Sequence, residues 1–205
     1  MNYIVFDLEF NQAYRCATNP IVKQEIIEIG AVKVDKNFNI IDKFSYYINP
    51  TIYKKMNPFV QEKTLIEMST LKESGLPFIE VINNFIEWVG KEDILCTWGL
   101  DDIRELKNNC LYYNINIAWI TNFTDIQRLY SITNPSDKKQ VRLKQAIEEL
   151  DIPQESAFHT AIEDALYTME IFKKIHNPSL IIIRDHESLI LEEGSSKKNK
   201  KVVQE

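Results

Sequence analysis

No apolar run in this chain approaches the roughly 20 residues that a membrane-spanning helix needs. The N-terminus has no basic region, and its short apolar run ends at Asp7, so it does not read as a secretory signal. Cysteine is scarce. Cys16, Cys96 and Cys110 are odd in number and no two have a Cys-x-x-Cys spacing, which argues against a disulfide framework or a zinc site and for a reducing, cytoplasmic setting. Positive charge is in deficit: the formal net charge of −6 argues against a sequence-reading duplex binder, which carries a basic face. It does not exclude an enzyme that holds a few nucleotides through metal ions. There is no internal repeat. With 205 residues, 44% hydrophobic and 26% charged, the composition is that of one ordinary globular domain with a tail.

The chain is organised around its beginning. Tyr3 to Phe6 is a continuous β-branched and aromatic run, which predicts a strand buried on both faces. Asp7 and Glu9 follow it, and alternation along a strand points both carboxylates the same way. Like charges side by side are costly unless a cation compensates, and a hard divalent ion with a preference for oxygen does so well. For this pair alone, two solvated acids where the strand enters a loop is an equally good reading.

Asn11 to Gln24 reads as a loop, and Glu25 to Val34 as a strand in which Gly30 marks a bulge or a close backbone approach. Asp35 to Asn39 supply a turn, and Ile40 to Ile48 return as the second arm of a hairpin. Val60 to Met68 is weakly helical. A clearer helix opens at Pro77 and stops at Gly90, with Phe78, Val81, Ile82, Phe85, Ile86 and Val89 on one face. Short strands are expected at Ile94 to Trp98 and at Ile115 to Phe123. Helices are expected after Asp102, from Asp125, from Leu143 to Leu150, and from Ala161 to Ile175, the last with Ile162, Ala165, Leu166, Met169 and Phe172 inward. This order predicts an α/β fold: a mixed sheet with helices on its faces, the first three strands antiparallel and the later ones joined by helical crossovers. Residues 1–178 form the expected domain, and 179–205 a C-terminal extension that ends in the Lys-rich stretch after Gly194.

Further acids and a histidine join Asp7 and Glu9. Asp101-Asp102 stands where a short strand meets a helix. Asp is a good N-cap, and Asp101 reads as one. His159 precedes the last helix, and Asp164 lies within it among small neighbours. Five residues of helix turn through about 500°, leaving side chains about 140° apart. His159 and Asp164 can therefore share a site only if His159 lies in the loop before the helix. Metal-bound carboxylates beside a histidine base suit hydrolysis of a phosphodiester.

Taken jointly, Asp7-Leu8-Glu9, the stretch from Thr97 to Asp102 and the stretch from His159 to Ala165 resemble the three motifs of the DEDDh family of 3′→5′ exonucleases. The likeness covers roughly residues 1–175 and is nearest to the branch that holds a sporulation inhibitor and the histone-mRNA 3′ exonucleases. It implies an RNase H-like five-stranded sheet of order 3-2-1-4-5. It also implies Asp7, Glu9, Asp102 and Asp164 as ligands of Mg²⁺ or Mn²⁺, two per site, with His159 as general base. The implied partner is the 3′ end of single-stranded RNA or DNA, with no membrane. Phe10 stands where many relatives have Thr, and with Asn11 it is a candidate contact to the terminal nucleotide. Phe10 reads equally well as core at a strand end, and Trp98 better as core than as a base contact. Two other readings compete: a DNA-directed proofreading-type exonuclease, and a nucleic-acid-binding regulator on the same fold without turnover.

Overall fold

The computed structural model describes residues 1–13, 19–134, 140–154, 160–185 and 188. Three strands come first: β1 (Tyr3–Gln12), β2 (Gln24–Val34) and β3 (Ile40–Tyr47). They are followed by α1 (Pro58–Thr64), α2 (Met68–Ser74), α3 (Phe78–Trp88), β4 (Ile94–Thr97) and α4 (Asp101–Tyr112). Then come β5 (Phe123–Asp125), α5 (Ile126–Thr133), α6 (Leu143–Glu149) and α7 (Ala161–Ile175). The sheet order is β3-β2-β1-β4-β5, as expected, with β1 to β3 antiparallel and β4 and β5 parallel to their neighbours.

Alternation along β1 divides the interior into two apolar layers. Tyr3 and Val5 join the layer built with α5, α6 and α7. Ile4, Phe6 and Leu8 join the layer built with α3 and α4. The parity carries on past Phe6, which directs Asp7 and Glu9 to the α7 side. The β1–β2 ladder runs regularly to the pair Glu9–Glu28 and then shifts, so that Phe10 faces Ile26 and Ile27 is the extra residue of a bulge. Ile27 turns to a small third cluster with Val60, Ile66 and Leu71 beneath α1 and α2.

Several expectations need correction. The segment from Ile115 onward is not one strand: only Phe123–Asp125 pairs. Before it, Asn116 caps the N–H of Ala118 at 2.8 Å and Ile120 bonds back to Ile117 at 3.0 Å, so the alternating Ile115, Ile117 and Trp119 come from turns laid over the α3–α4 layer. The weakly helical stretch is split between α1 and α2 by Leu65, whose φ of 60° is left-handed. In α7, Ile162 and Leu166 are only half-buried, while Tyr167, Thr168 and Ile171 are buried as well, because α5 and α6 cover its outer side. Apart from these corrections, Arg184 of the expected extension and Phe123 exchange backbone hydrogen bonds of 2.9 and 2.8 Å at the edge of β5. The Lys-rich stretch after Gly194 lies outside the described residues.

Candidate active site

β1 outlasts its parallel neighbour. β4 ends at Thr97 and pairs only as far as Val5–Cys96, so beyond that point one edge of β1 is open. Gly99, with φ of 91°, turns the chain from β4 into α4. The carboxylate of Asp102, on the first turn of α4, fills the open edge: its Oδ1 accepts the N–H of Leu8 at 3.2 Å. Asp102 is buried, whereas the side chain of Asp101 is 88% exposed and pairs with Arg104 at 3.1 Å. The N-cap position belongs to Leu100, so Asp101 is not the cap; it sits one residue inside the helix, where its charge favours the positive end of the helix dipole.

The helix α7 brings the last acid. Its N-cap is Thr160, whose hydroxyl accepts the N–H of Glu163 at 3.4 Å. The helix rests on β2 at Gly30, where an added Cβ would lie 2.1 Å from the backbone nitrogen of Ile162. Gly30 is thus the close-approach position rather than a bulge, and only a residue without a side chain admits the helix there. With α7 so seated, Asp7, Glu9 and Asp164 each place a carboxylate oxygen within 4.8 Å of the others. Glu28 lies beneath them, paired across the sheet with Glu9, and its Oε2 accepts the N–H of Ala161 at 3.3 Å.

Crowding these acids away from water makes their charged forms costly. Burial, then the charges of Asp102, Asp164 and Glu9, push the Asp7 carboxyl well above the ordinary range, with Lys63 of α1 opposing. Glu9 is pushed up to about 8, by burial first, against the pull of Lys63. Burial raises Asp102 to about 7 despite the N–H groups of Leu8 and of its own backbone, and Glu28 to about 7 despite the N–H of Ala161. Such a group of oxygen donors gains most from a hard divalent cation, and Asp7, Glu9 and Asp164 fit one by both chemistry and spacing.

The other nominated residues fall elsewhere. Asn11 is fully buried and its amide is committed to the 53–57 segment: it donates to the carbonyls of Tyr53 at 2.9 Å and Lys55 at 3.1 Å and accepts the N–H of Asn57 at 3.0 Å. Its side-chain amide thus ties β1 to that segment. Phe10 is half-buried against the α3–α4 layer. Trp98 packs with Tyr130 in the α5–α7 layer and donates its Nε1 hydrogen to the carbonyl of Val141 at 3.2 Å. His159 lies outside the described residues. Two residues of the site were missed from the sequence. Glu28 becomes visible only once the β1–β2 register is known, and Lys63 only once α1 is laid beside β1.

A carboxylate cluster at the carboxyl end of the central strands of this sheet defines the protein's class. Residues 4–172 match the RNase T family model, described as Exonuclease, and the chain belongs to that family. Among curated relatives it is 26% identical over 174 residues to the probable 3′-5′ exonuclease KapD of Bacillus subtilis (strain 168), which spans 84% of this chain and 83% of that protein. Among solved structures, the nuclease domain of 3′hExo, a DEDDh family member bound to rAMP, superimposes with a TM-score of 0.77 at 19% identity, over 90% of this chain and 96% of that one. Exonuclease I of E. coli in complex with a dT13 oligonucleotide shares the fold with a TM-score of 0.69 at 15% identity, over 85% of this chain and 40% of the other.

Proposed function

We propose that this protein is a 3′→5′ exonuclease that removes nucleotides from the 3′ end of RNA or of short single strands. The observation that carries the reading is the convergence of Asp7, Glu9 and Asp164 within 4.8 Å, with buried Asp102 hydrogen-bonded to the strand between the first two. Asp7, Glu9, Asp102 and Asp164 are assigned to hold Mg²⁺ or Mn²⁺, two per site. When bound, such ions polarise the scissile phosphate and stabilise the attacking and leaving oxygens. The protein's own part is to fix four carboxylates from two strand positions and two helices in one place. Its other part is to take the proton of the attacking water, which is assigned to His159, next to the N-cap of α7. The 3′ polarity is supported by the name of KapD, and the RNA preference by the rAMP bound to 3′hExo. The oligonucleotide held by Exonuclease I supports a DNA-directed alternative. We place the activity in the cytoplasm, where the buried free thiols of Cys96 and Cys110 stay reduced.

Matched RNA and DNA strands, the linear ones 5′-labelled and the circular ones labelled internally, with Mg²⁺ or with EDTA, test the reading. Linear RNA should shorten stepwise from its 3′ end in Mg²⁺, circles should persist, and EDTA should stop the reaction. Cleavage of circles would overturn the exonuclease reading, faster loss of DNA would reverse the substrate preference, and no degradation at all would favour a binding regulator.

A further inference from the structure

Helices begin with backbone N–H groups that have no acceptor within the helix. At the start of α7 the N–H groups of Glu163 and Asp164 both reach back to the carbonyl of Thr160, at 3.1 Å. Ala161, the first residue of the helix, has its N–H taken from outside, by the carboxylate of Glu28 on β2 at 3.3 Å. Two residues further along β2, Gly30 lets the backbone at Ile162 descend onto the strand. The first turn of α7 is therefore held by β2 at two neighbouring points, one a hydrogen bond and one a bare backbone contact.

Asp164 lies three residues beyond Ala161, close to one helical turn, so any roll or lift of the first turn displaces its carboxylate relative to Asp7 and Glu9. Those two sit on β1, whose residue Glu9 is the direct cross-strand partner of Glu28. A single side chain thus couples the strand that supplies two acids to the helix that supplies the third. Glu28 is 3% exposed, so water cannot replace it as acceptor without entering the sheet–helix interface. A fifth acid in a cluster already strained by like charge adds repulsion, and a surrounding that served packing alone would favour an apolar residue. What Glu28 does that an apolar residue cannot is to accept the N–H of Ala161.

We propose that Glu28 is a positioning residue, which acts through the first turn of α7 to set Asp164 against Asp7 and Glu9. The proposal rests on the nuclease reading for its activity arm only. Glu28→Gln keeps an acceptor at the same reach. Glu28→Asp keeps the charge but is one methylene too short, and Glu28→Leu removes the acceptor altogether. Three readouts are compared with the parent: Mn²⁺ affinity of the substrate-free protein by electron paramagnetic resonance, hydrogen exchange of the Ala161 amide, and single-turnover cleavage in Mg²⁺. Residues that orient metal ligands typically contribute about 10- to 100-fold in affinity or activity. Asp and Leu should weaken Mn²⁺ binding and cleavage by that order and speed exchange at Ala161, whereas Gln should stay within about threefold of the parent on all three. A role confined to packing would lower the melting temperature of Asp and Leu without moving Mn²⁺ affinity, and that result overturns the proposal. So does a Gln variant as impaired as Asp, because an uncharged acceptor at the parent's reach would then not suffice. If Leu does not fold, the contrast between Asp and Gln decides. If the parent degrades no strand, the nuclease reading fails, while Mn²⁺ affinity and exchange still judge Glu28.

Discussion

The carboxylate of Asp102 accepts the backbone N–H of Leu8 at 3.2 Å, tying the first turn of α4 to the residue that separates Asp7 from Glu9. Its neighbour Asp101 points to solvent and pairs with Arg104. Exposed pairs of that kind contribute about 0–1 kcal/mol. Asp102→Asn is expected to remove cleavage, and Asp101→Asn to leave single-turnover rates near those of the parent. A dead Asp101→Asn with an active Asp102→Asn would show that the functional acid is the exposed one.

Asp7→Asn and Glu9→Gln are expected to abolish metal-dependent cleavage with the fold retained. Both parent carboxyls are crowded and desolvated, so neutral replacements relieve repulsion. The melting temperature in EDTA should hold or rise in each variant. Measurable turnover of either variant in EDTA would contradict a metal-borne mechanism.

The same crowding sets a pH dependence. Glu9 is raised to about 8, and Asp102 and Glu28 to about 7, so the folded protein holds these protons more tightly than the unfolded chain does. Their contribution to stability is fully present below the unfolded carboxylate values and is lost as pH rises through 7 and 8. In EDTA the melting temperature should fall across that window, Glu9→Gln should flatten the fall, and Mg²⁺ should restore stability at the alkaline end while releasing protons. A melting temperature that climbs across the window in EDTA would refute this account.

Gly30→Ala tests the seat of α7. The new Cβ would meet backbone at 2.1 Å, and no side chain can swing aside to admit it. Overpacking typically costs about 1–3 kcal/mol, occasionally more, and here backbone must move. Calorimetry should show a lowered melting temperature, and cleavage should fall with it because Asp164 travels on the displaced helix. Parental values in both would mean that α7 sits higher on β2.

His159→Ala is expected to slow single-turnover cleavage by about 10²- to 10⁴-fold, the usual contribution of a positioned base. Oligonucleotide binding in Ca²⁺ should be kept, since no assigned metal ligand is lost. A rate within about threefold of the parent would remove His159 from the mechanism.

The parts legible in the sequence were those where a local pattern and its long-range purpose coincide. The run from Tyr3 to Phe6 is apolar because both its faces are covered, and the parity that buries Tyr3 and Val5 is the parity that aims Asp7 and Glu9. The helical period of Phe78, Val81, Ile82 and Phe85 was equally plain, since α3 buries one face only. Where alternation arose from turns, as at Ile115 to Trp119, the same signal misled. Asn11 looked available because it follows the acids. Its burial depends on the 53–57 segment, whose return to β1 no local pattern announces. Glu28 was hidden for a related reason: nothing in Glu-Ile-Ile-Glu-Ile-Gly distinguishes the acid that faces Ala161 from Glu25, whose carboxylate gathers the N–H groups of Thr51, Ile52 and Tyr53.

The extra residue in β2 brings two glutamates that are three places apart in sequence to ladder positions two apart. Ile27 separates Glu25, which anchors the segment after β3, from Glu28, which meets α7. Exchanging Ile27 for another apolar side chain changes only the filling of a small cluster. Deleting it would close the ladder into a regular one that leaves Glu25 opposite Asn11 and Glu28 opposite Glu9, and would take from the cluster beneath α1 and α2 its strand residue. The extra residue is thus what the strand lends to α1 and α2, and through α1 to the seat of Lys63, while the two glutamates keep their partners without it.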